Sequence, residues 1–173
     1  MLGPKELCLG SYVFLWGVKQ EATPTWFGMF LPDGTQLENV HAMASLWGDA
    51  PKNRCPRIAA PKVSAEQAAP GATLRASVDV TDPDGDPLAI KWVLTSEVTK
   101  RSVGGAHEDP GAEHADAIAA GKDDREVQVK MPREPGTYRL FAYARDGKGN
   151  GAVANTILRV TAEAATESKP KTR

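Results

Sequence analysis

Residues 136–160 read GTYRLFAYARDGKGNGAVANTILRV, and this stretch decides the fold. Tyr138, Leu140, Ala142 and Ala144 stand at every second position, the period of a strand that turns one face toward a core. The run Asp146-Gly147-Lys148-Gly149-Asn150 then supplies a turn, and a further strand is expected from about Ala152 to Thr161. The same texture extends upstream. Leu74, Ala76, Val78 and Val80 alternate with Arg75, Ser77 and Asp79; Ile90, Trp92 and Leu94 alternate with Lys91 and Val93; Val127, Val129 and Met131 alternate with Gln128 and Lys130. Pro70-Gly71, the Asp82–Asp86 run DPDGD and Pro135-Gly136 punctuate these segments. About seven short strands with a tryptophan on the third form the pattern of an immunoglobulin-like antiparallel sandwich, here expected over residues 58–162. Residues 97–126 make an unusually long connection, part of which is expected to pair as an extra strand near Val98–Val103.

Composition agrees with a folded chain. The 173 residues are 41% apolar and 25% charged, which excludes disorder over the whole length. The formal net charge of −1 gives no field to draw nucleic acid or an anionic membrane, so neither is an expected partner. The longest apolar run, Leu7–Trp16, is about half of the roughly 20 residues that a membrane-spanning helix needs. It also lacks the small-x-small pattern of a cleaved signal peptide. Two cysteines and three histidines, without an HExxH or GxSxG motif, assign no metal ligand set and no hydrolase elbow.

The chain changes character near residue 50. Residues 1–50 hold Trp16, Trp26 and Trp47, three of the four tryptophans, and read as strand, loop and helix. Leu7–Trp16 is continuously apolar, as in a strand buried on both faces. Thr35 with Glu38 has the spacing of a capping box, Leu37, Val40, Ala44 and Trp47 form a stripe, and Gly48 is a natural stop. His41 reads as a surface or packing residue. One strand and one helix cannot enclose a core, so residues 1–50 are expected to be the end of something larger. Residues 51–57, PKNRCPR, read as a linker, and residues 163–173 as a disordered tail. A Cys8–Cys55 bridge is open on sequence grounds, with Cys8 as a small packing residue the favoured reading. Asp82–Asp86 fails the EF-hand order, because Pro87 and Val93 stand where glycine and glutamate are needed. It reads as a turn, although Asp79 and Asp146 could join it in a calcium site.

The run Trp16-Gly-x-Lys-Gln-Glu-x-Thr-Pro-Thr-Trp26 resembles the last strand and loop of the catalytic barrel in bacterial glycoside hydrolases related to family two. Thr35–Trp47 resembles the final helix of that barrel, and residues from Pro56 onward the immunoglobulin-like domain that follows it. The resemblance implies a mainly β chain: a sandwich preceded by a partial (β/α)8-barrel fragment of one strand and one helix. It implies a parent enzyme, exported from the cell, that hydrolyses a polysaccharide or oligosaccharide without a cofactor. A retaining glycosidase works with two carboxylates about 5–5.5 Å apart. In such barrels they sit on earlier strands, so the resemblance assigns no catalytic residue here and implies an inactive chain. It implies a sugar platform at Trp16, sugar contacts from Lys19, Gln20 and Glu21, and a subsite wall at Trp26 with Phe27. Without the parent, the alternative is a free-standing binding or adhesion module, or a structural spacer.

Overall fold

A computed structural model describes residues 12–100, 107–121 and 124–162. Cys8, the tail from residue 163 and the first half of the Leu7–Trp16 run, residues 7–11, lie outside them. The strands are β1 Arg57–Ile58, β2 Lys62–Val63, β3 Gln67–Ala68, β4 Thr73–Ser77, β5 Val80–Thr81, β6 Ala89–Ser96, β7 Ile118–Ala120, β8 Glu126–Lys130, β9 Gly136–Arg145 and β10 Gly151–Val160. One helix, α1, covers Glu38–Trp47. No helix among the described residues is long and apolar enough to cross a membrane.

The long strands form where alternation is sustained. β9 and β10 pair antiparallel over ten residues, from Gly151 opposite Arg145 to Val160 opposite Gly136. β6 joins the other edge of β9, with Trp92 opposite Ala142 and Leu94 opposite Leu140. One sheet therefore runs β3-β10-β9-β6 and the other β2-β4-β8-β7, with β1 and β5 as a short separate pair. This is the strand order of an immunoglobulin sandwich, and the two-residue β3–β10 pair is parallel. The inward residues of both sheets, among them Leu74, Val129, Leu94, Leu140 and Leu158, meet in one core. Trp92 is buried there, and its indole Nε1–H donates to Asp124 O at 2.9 Å.

Tyr138 lies near the start of β9, and its hydroxyl donates to Glu134 O at 2.8 Å. This ties the strand back to the turn before it, the tyrosine corner of such sandwiches. Tyr138 is only 4% exposed, so Tyr138→Phe strips the Glu134 carbonyl of this donor. Urea unfolding is expected to show a loss of about 1–2 kcal/mol. A change within about 0.3 kcal/mol would remove the corner from the account of stability.

Three local expectations differ from the structure. Residues 12–16, the described part of the Leu7–Trp16 strand, join no ladder, and Tyr12, Phe14 and Trp16 are exposed rather than buried. A strand needs a neighbour to pair with. Helix α1 begins at Glu38 behind Leu37, not behind Thr35, and has no side-chain cap. The Gln36 backbone is engaged elsewhere, donating to Gly149 O at 2.8 Å and accepting from Gly151 N–H at 2.9 Å. The stop is as read: Gly48 takes φ 97° and its N–H reaches Ala44 O and Ser45 O. The added strand in the long connection is β7, not Val98–Val103; residues 98–100 lie outside any strand, and 101–103 are outside the described residues. Before β7, residues 112–114 run along the free edge of β6, with Ser96 N–H donating to Ala112 O and His114 N–H to Leu94 O. That strap covers an edge otherwise open to another chain.

Candidate functional site

The segment from Tyr12 to Val18 bends at Phe14 and again at Trp16–Gly17, and Tyr12, Phe14, Trp16 and Val18 are exposed. Trp16 stacks on Trp47, ring centroids 6.1 Å apart and planes 28° apart, and meets the edge of Phe30 at 5.3 Å. Phe14 packs against Phe27 at 5.1 Å, and Phe27 against Trp26 at 6.2 Å. Trp16 is 54% exposed, Trp26 63% and Trp47 58%, so each of the three indoles divides its ring between an aromatic neighbour and solvent. An exposed apolar surface of this kind marks a place where something binds.

Lys19 forms an ion pair with Glu21 beside this face. Glu21 and Thr23 exchange backbone hydrogen bonds around Ala22, which takes φ 58°, a region costly for a residue with a Cβ. The turn is held from behind, because Ala22 N–H donates to the buried Glu108 carboxylate at 2.6 Å. The structure thus joins Trp16 to Trp47 and Phe30, Trp26 to Phe27, and Lys19 to Glu21. Gln20 is half-buried between Lys19 and Glu21. Among the described residues no hydrogen bond links Lys19, Gln20 or Glu21 to Trp16 or Trp26. Trp47 is the member that the sequence reading placed elsewhere, in the packing stripe of α1. Its position in the last turn, directly before the Gly48 stop, was the available signal that it could leave that stripe.

The face is fixed to the sandwich from below. Met29, Leu31, Leu37 and Val40 are buried, and Gln36 forms a parallel bridge with Asn150 in the β9–β10 turn. Asp33 pairs with Arg145 at 2.8 Å, and hydrogen bonding from Thr35 first, then Arg145, holds its carboxyl below the usual range. His41 is buried, the packing half of its sequence reading, with Nε2 2.9 Å from Asn150 Oδ1. Asn150 Nδ2 donates to Asn53 Oδ1 at 2.6 Å and to Asp146 Oδ2 at 2.8 Å. Asn150 Oδ1 is therefore an acceptor, and His41 must donate from Nε2. That leaves Nδ1 to accept from the Cys55 thiol at 3.5 Å. Burial pushes that thiol up to about 12, which keeps the S–H in place. Cys55 is a buried free cysteine, and Cys8, the other half of the bridge left open on sequence grounds, lies outside the described residues.

No protein-family model matches this chain, and none of the curated proteins does. Among solved structures it is similar to one from work on the promiscuous specificity of carbohydrate-binding modules of the β-sandwich superfamily. The identity is 18% and the TM-score 0.43, over 69% of this chain and 39% of that one. It is also similar to the PKD domain of an M14-like peptidase from Thermoplasmatales archaeon SCGC AB-540-F20. There the identity is 19% and the TM-score 0.38, over 62% of this chain and 97% of that one. The chain spans 39% of the length of the first of these structures.

Proposed function

We propose that this chain is a non-catalytic accessory module that holds carbohydrate, with the sandwich as scaffold and the Trp16–Trp47 face as sugar platform. Trp26 and Phe27 extend the platform, and Lys19, Gln20 and Glu21 supply polar groups that suit hydroxyls. The observation that supports this reading is the set of three indoles, each more than half exposed, on a segment anchored from beneath. A flat ring offers an apolar surface to the C–H face of a pyranose, and anchoring in advance lowers the entropy lost on binding.

Affinity electrophoresis of the full chain across a panel of soluble polysaccharides tests it. At least one polysaccharide is expected to retard the chain. Trp16→Ala is expected to weaken that retention about tenfold or more, a loss of roughly 1.4 kcal/mol. Both residues are exposed, so Trp16→Ala and Trp26→Ala should keep the thermal melt of the parent chain. No retardation on any polysaccharide, or retention of both variants equal to that of the parent chain, rejects the reading.

The alternate exposure of Tyr12, Phe14, Trp16 and Val18 favours a second, finer reading. On it, the segment is the last strand of a (β/α)8 glycosidase barrel, α1 is the helix that follows, and the missing ladder partners belong to a catalytic domain. The platform then serves the substrate of the intact enzyme, and this chain alone has no hydrolytic activity. An in-frame upstream sequence encoding the remaining strands supports that reading; an unrelated gene ending directly upstream with its own terminator rejects it.

A further inference from the structure

The outer face of β6 and β9 carries a cleft of about 590 Å³, inside the range of about 300–1,000 Å³ in which ligand sites fall. Its floor follows from the strand period. Lys91, Val93 and Thr95 leave β6 on the side away from the core, Tyr143 and Arg145 leave β9 on the same side, and Lys91 stands directly opposite Tyr143. Its walls come from elsewhere in the chain. Pro24 and Pro32 stand on the Arg145 side, where Asp33 pairs with Arg145 at 2.8 Å. Residues 110–113 stand on the other, along the free edge of β6, with Ser96 N–H donating to Ala112 O at 2.9 Å. Ala22 N–H, which donates to the Glu108 carboxylate at 2.6 Å, ties the two walls together. The cleft is therefore formed before any ligand arrives.

Tyr143 gives the floor an aromatic ring. Phe141 stacks on it, centroids 5.8 Å and planes 22° apart, and the Arg145 guanidinium lies 5.9 Å from its centroid. Burial pushes the phenol up to about 12, so the hydroxyl keeps its proton and can donate. Among the described residues, the Tyr143 hydroxyl, the Lys91 ammonium and the Glu113 carboxylate form no hydrogen bond or ion pair. Donors and acceptors are thus left open around an apolar floor. Their charges offset one another, Lys91 and Arg145 against Asp33 and Glu113, so neither an anion nor a cation gains overall. A neutral ligand with hydroxyls around C–H faces meets every group.

We propose that this cleft is a second sugar subsite, with Tyr143 as its platform and Lys91 and Glu113 as its hydroxyl contacts, and that its ligand is a neutral glycan rather than a uronate polymer. The inference rests on the carbohydrate reading above and names the ligand class. Pro24 of the cleft wall precedes Trp26 by two residues, a reach of at most about 7 Å between Cα atoms. One glycan chain can therefore run from the Trp26 side into the cleft. Two subsites on one chain hold a polymer more tightly than either alone.

Affinity electrophoresis of the full chain in gels holding hydroxyethylcellulose, xyloglucan, galactomannan or polygalacturonate is the test, each read against a polymer-free gel. At least one neutral polymer is expected to retard the chain, and polygalacturonate is not. Tyr143→Ala is expected to weaken that retardation about tenfold, and Lys91→Ala and Glu113→Ala about threefold each. Should Tyr143→Ala fail to fold, the other two decide, since both side chains are exposed. Retardation of the cleft variants equal to that of the parent chain overturns the cleft; if Trp16→Ala still weakens it, the platform stands without the cleft. Loss through Tyr143→Ala with Trp16→Ala at parental strength supports the cleft and rejects the platform at Trp16. Retardation on polygalacturonate as strong as on a neutral polymer overturns the neutral ligand, and none on any polymer rejects cleft and platform together.

Discussion

Leu140→Ala is expected to lower the unfolding free energy by about 3 kcal/mol in urea titrations, with the denaturant slope unchanged. Leu140 is fully buried in β9, opposite Leu94 on one neighbouring strand and Thr156 on the other. Deleting its isobutyl group removes transfer free energy and leaves a cavity that two hydrogen-bonded neighbours cannot close. The position has added weight. Leu140 follows Tyr138 by two residues, where immunoglobulin domains with an inter-sheet disulfide place the second cysteine. In this sandwich apolar packing at that point does the joining. Leu140→Met, which conserves volume, is expected to cost less than about 1.5 kcal/mol. A loss below about 1 kcal/mol for the alanine variant would mean that the two sheets are not close-packed there.

Asn150→Ala is expected to cost about 2–4 kcal/mol and to loosen the N-terminal segment. The side chain is 6% exposed and serves three partners: His41, Asn53 and Asp146. Truncation leaves the His41 Nε2–H and the Asn53 carbonyl without their partner, in a place where solvent does not replace it. The backbone bonds between Gln36 and the β9–β10 turn remain, so the segment loosens before the sandwich melts. Limited proteolysis should show faster cleavage in residues 17–34, with the sandwich fragment persisting. Unchanged cleavage and a loss under about 1 kcal/mol would show that the polar network does not secure the segment.

Much of the sandwich was legible because its signals are local. Tyr138, Leu140, Ala142 and Ala144 alternate within one strand, and Asp146–Asn150 and Pro135-Gly136 announce turns without reference to the rest of the chain. Helix α1 was legible in its stripe and its Gly48 stop, but not in its start. Thr35 and Glu38 have the right spacing for a capping box, yet Gln36 is bonded to Gly149 and Gly151, more than a hundred residues away. That backbone competition keeps Thr35–Leu37 from winding into the helix. Leu7–Trp16 reads as a doubly buried strand because composition records what a segment is suited to, and its described half finds no ladder here.

Trp16 and Trp26 were identifiable as candidate sugar contacts, whereas the stacking of Trp16 on Trp47 depends on where the helix is carried. Composition and period determined a mainly β chain, the long strands around Leu74, Trp92, Val129, Leu140 and Leu158, the turns between them and one helix, because each is set by residues adjacent in sequence. Only the tertiary structure decided that His41 meets Asn150, 109 residues away, and that Asp82, Asp86 and Asp146 share one corner. Such meetings are fixed by the order in which strands pair, and no local repeat records which turn will lie beside which.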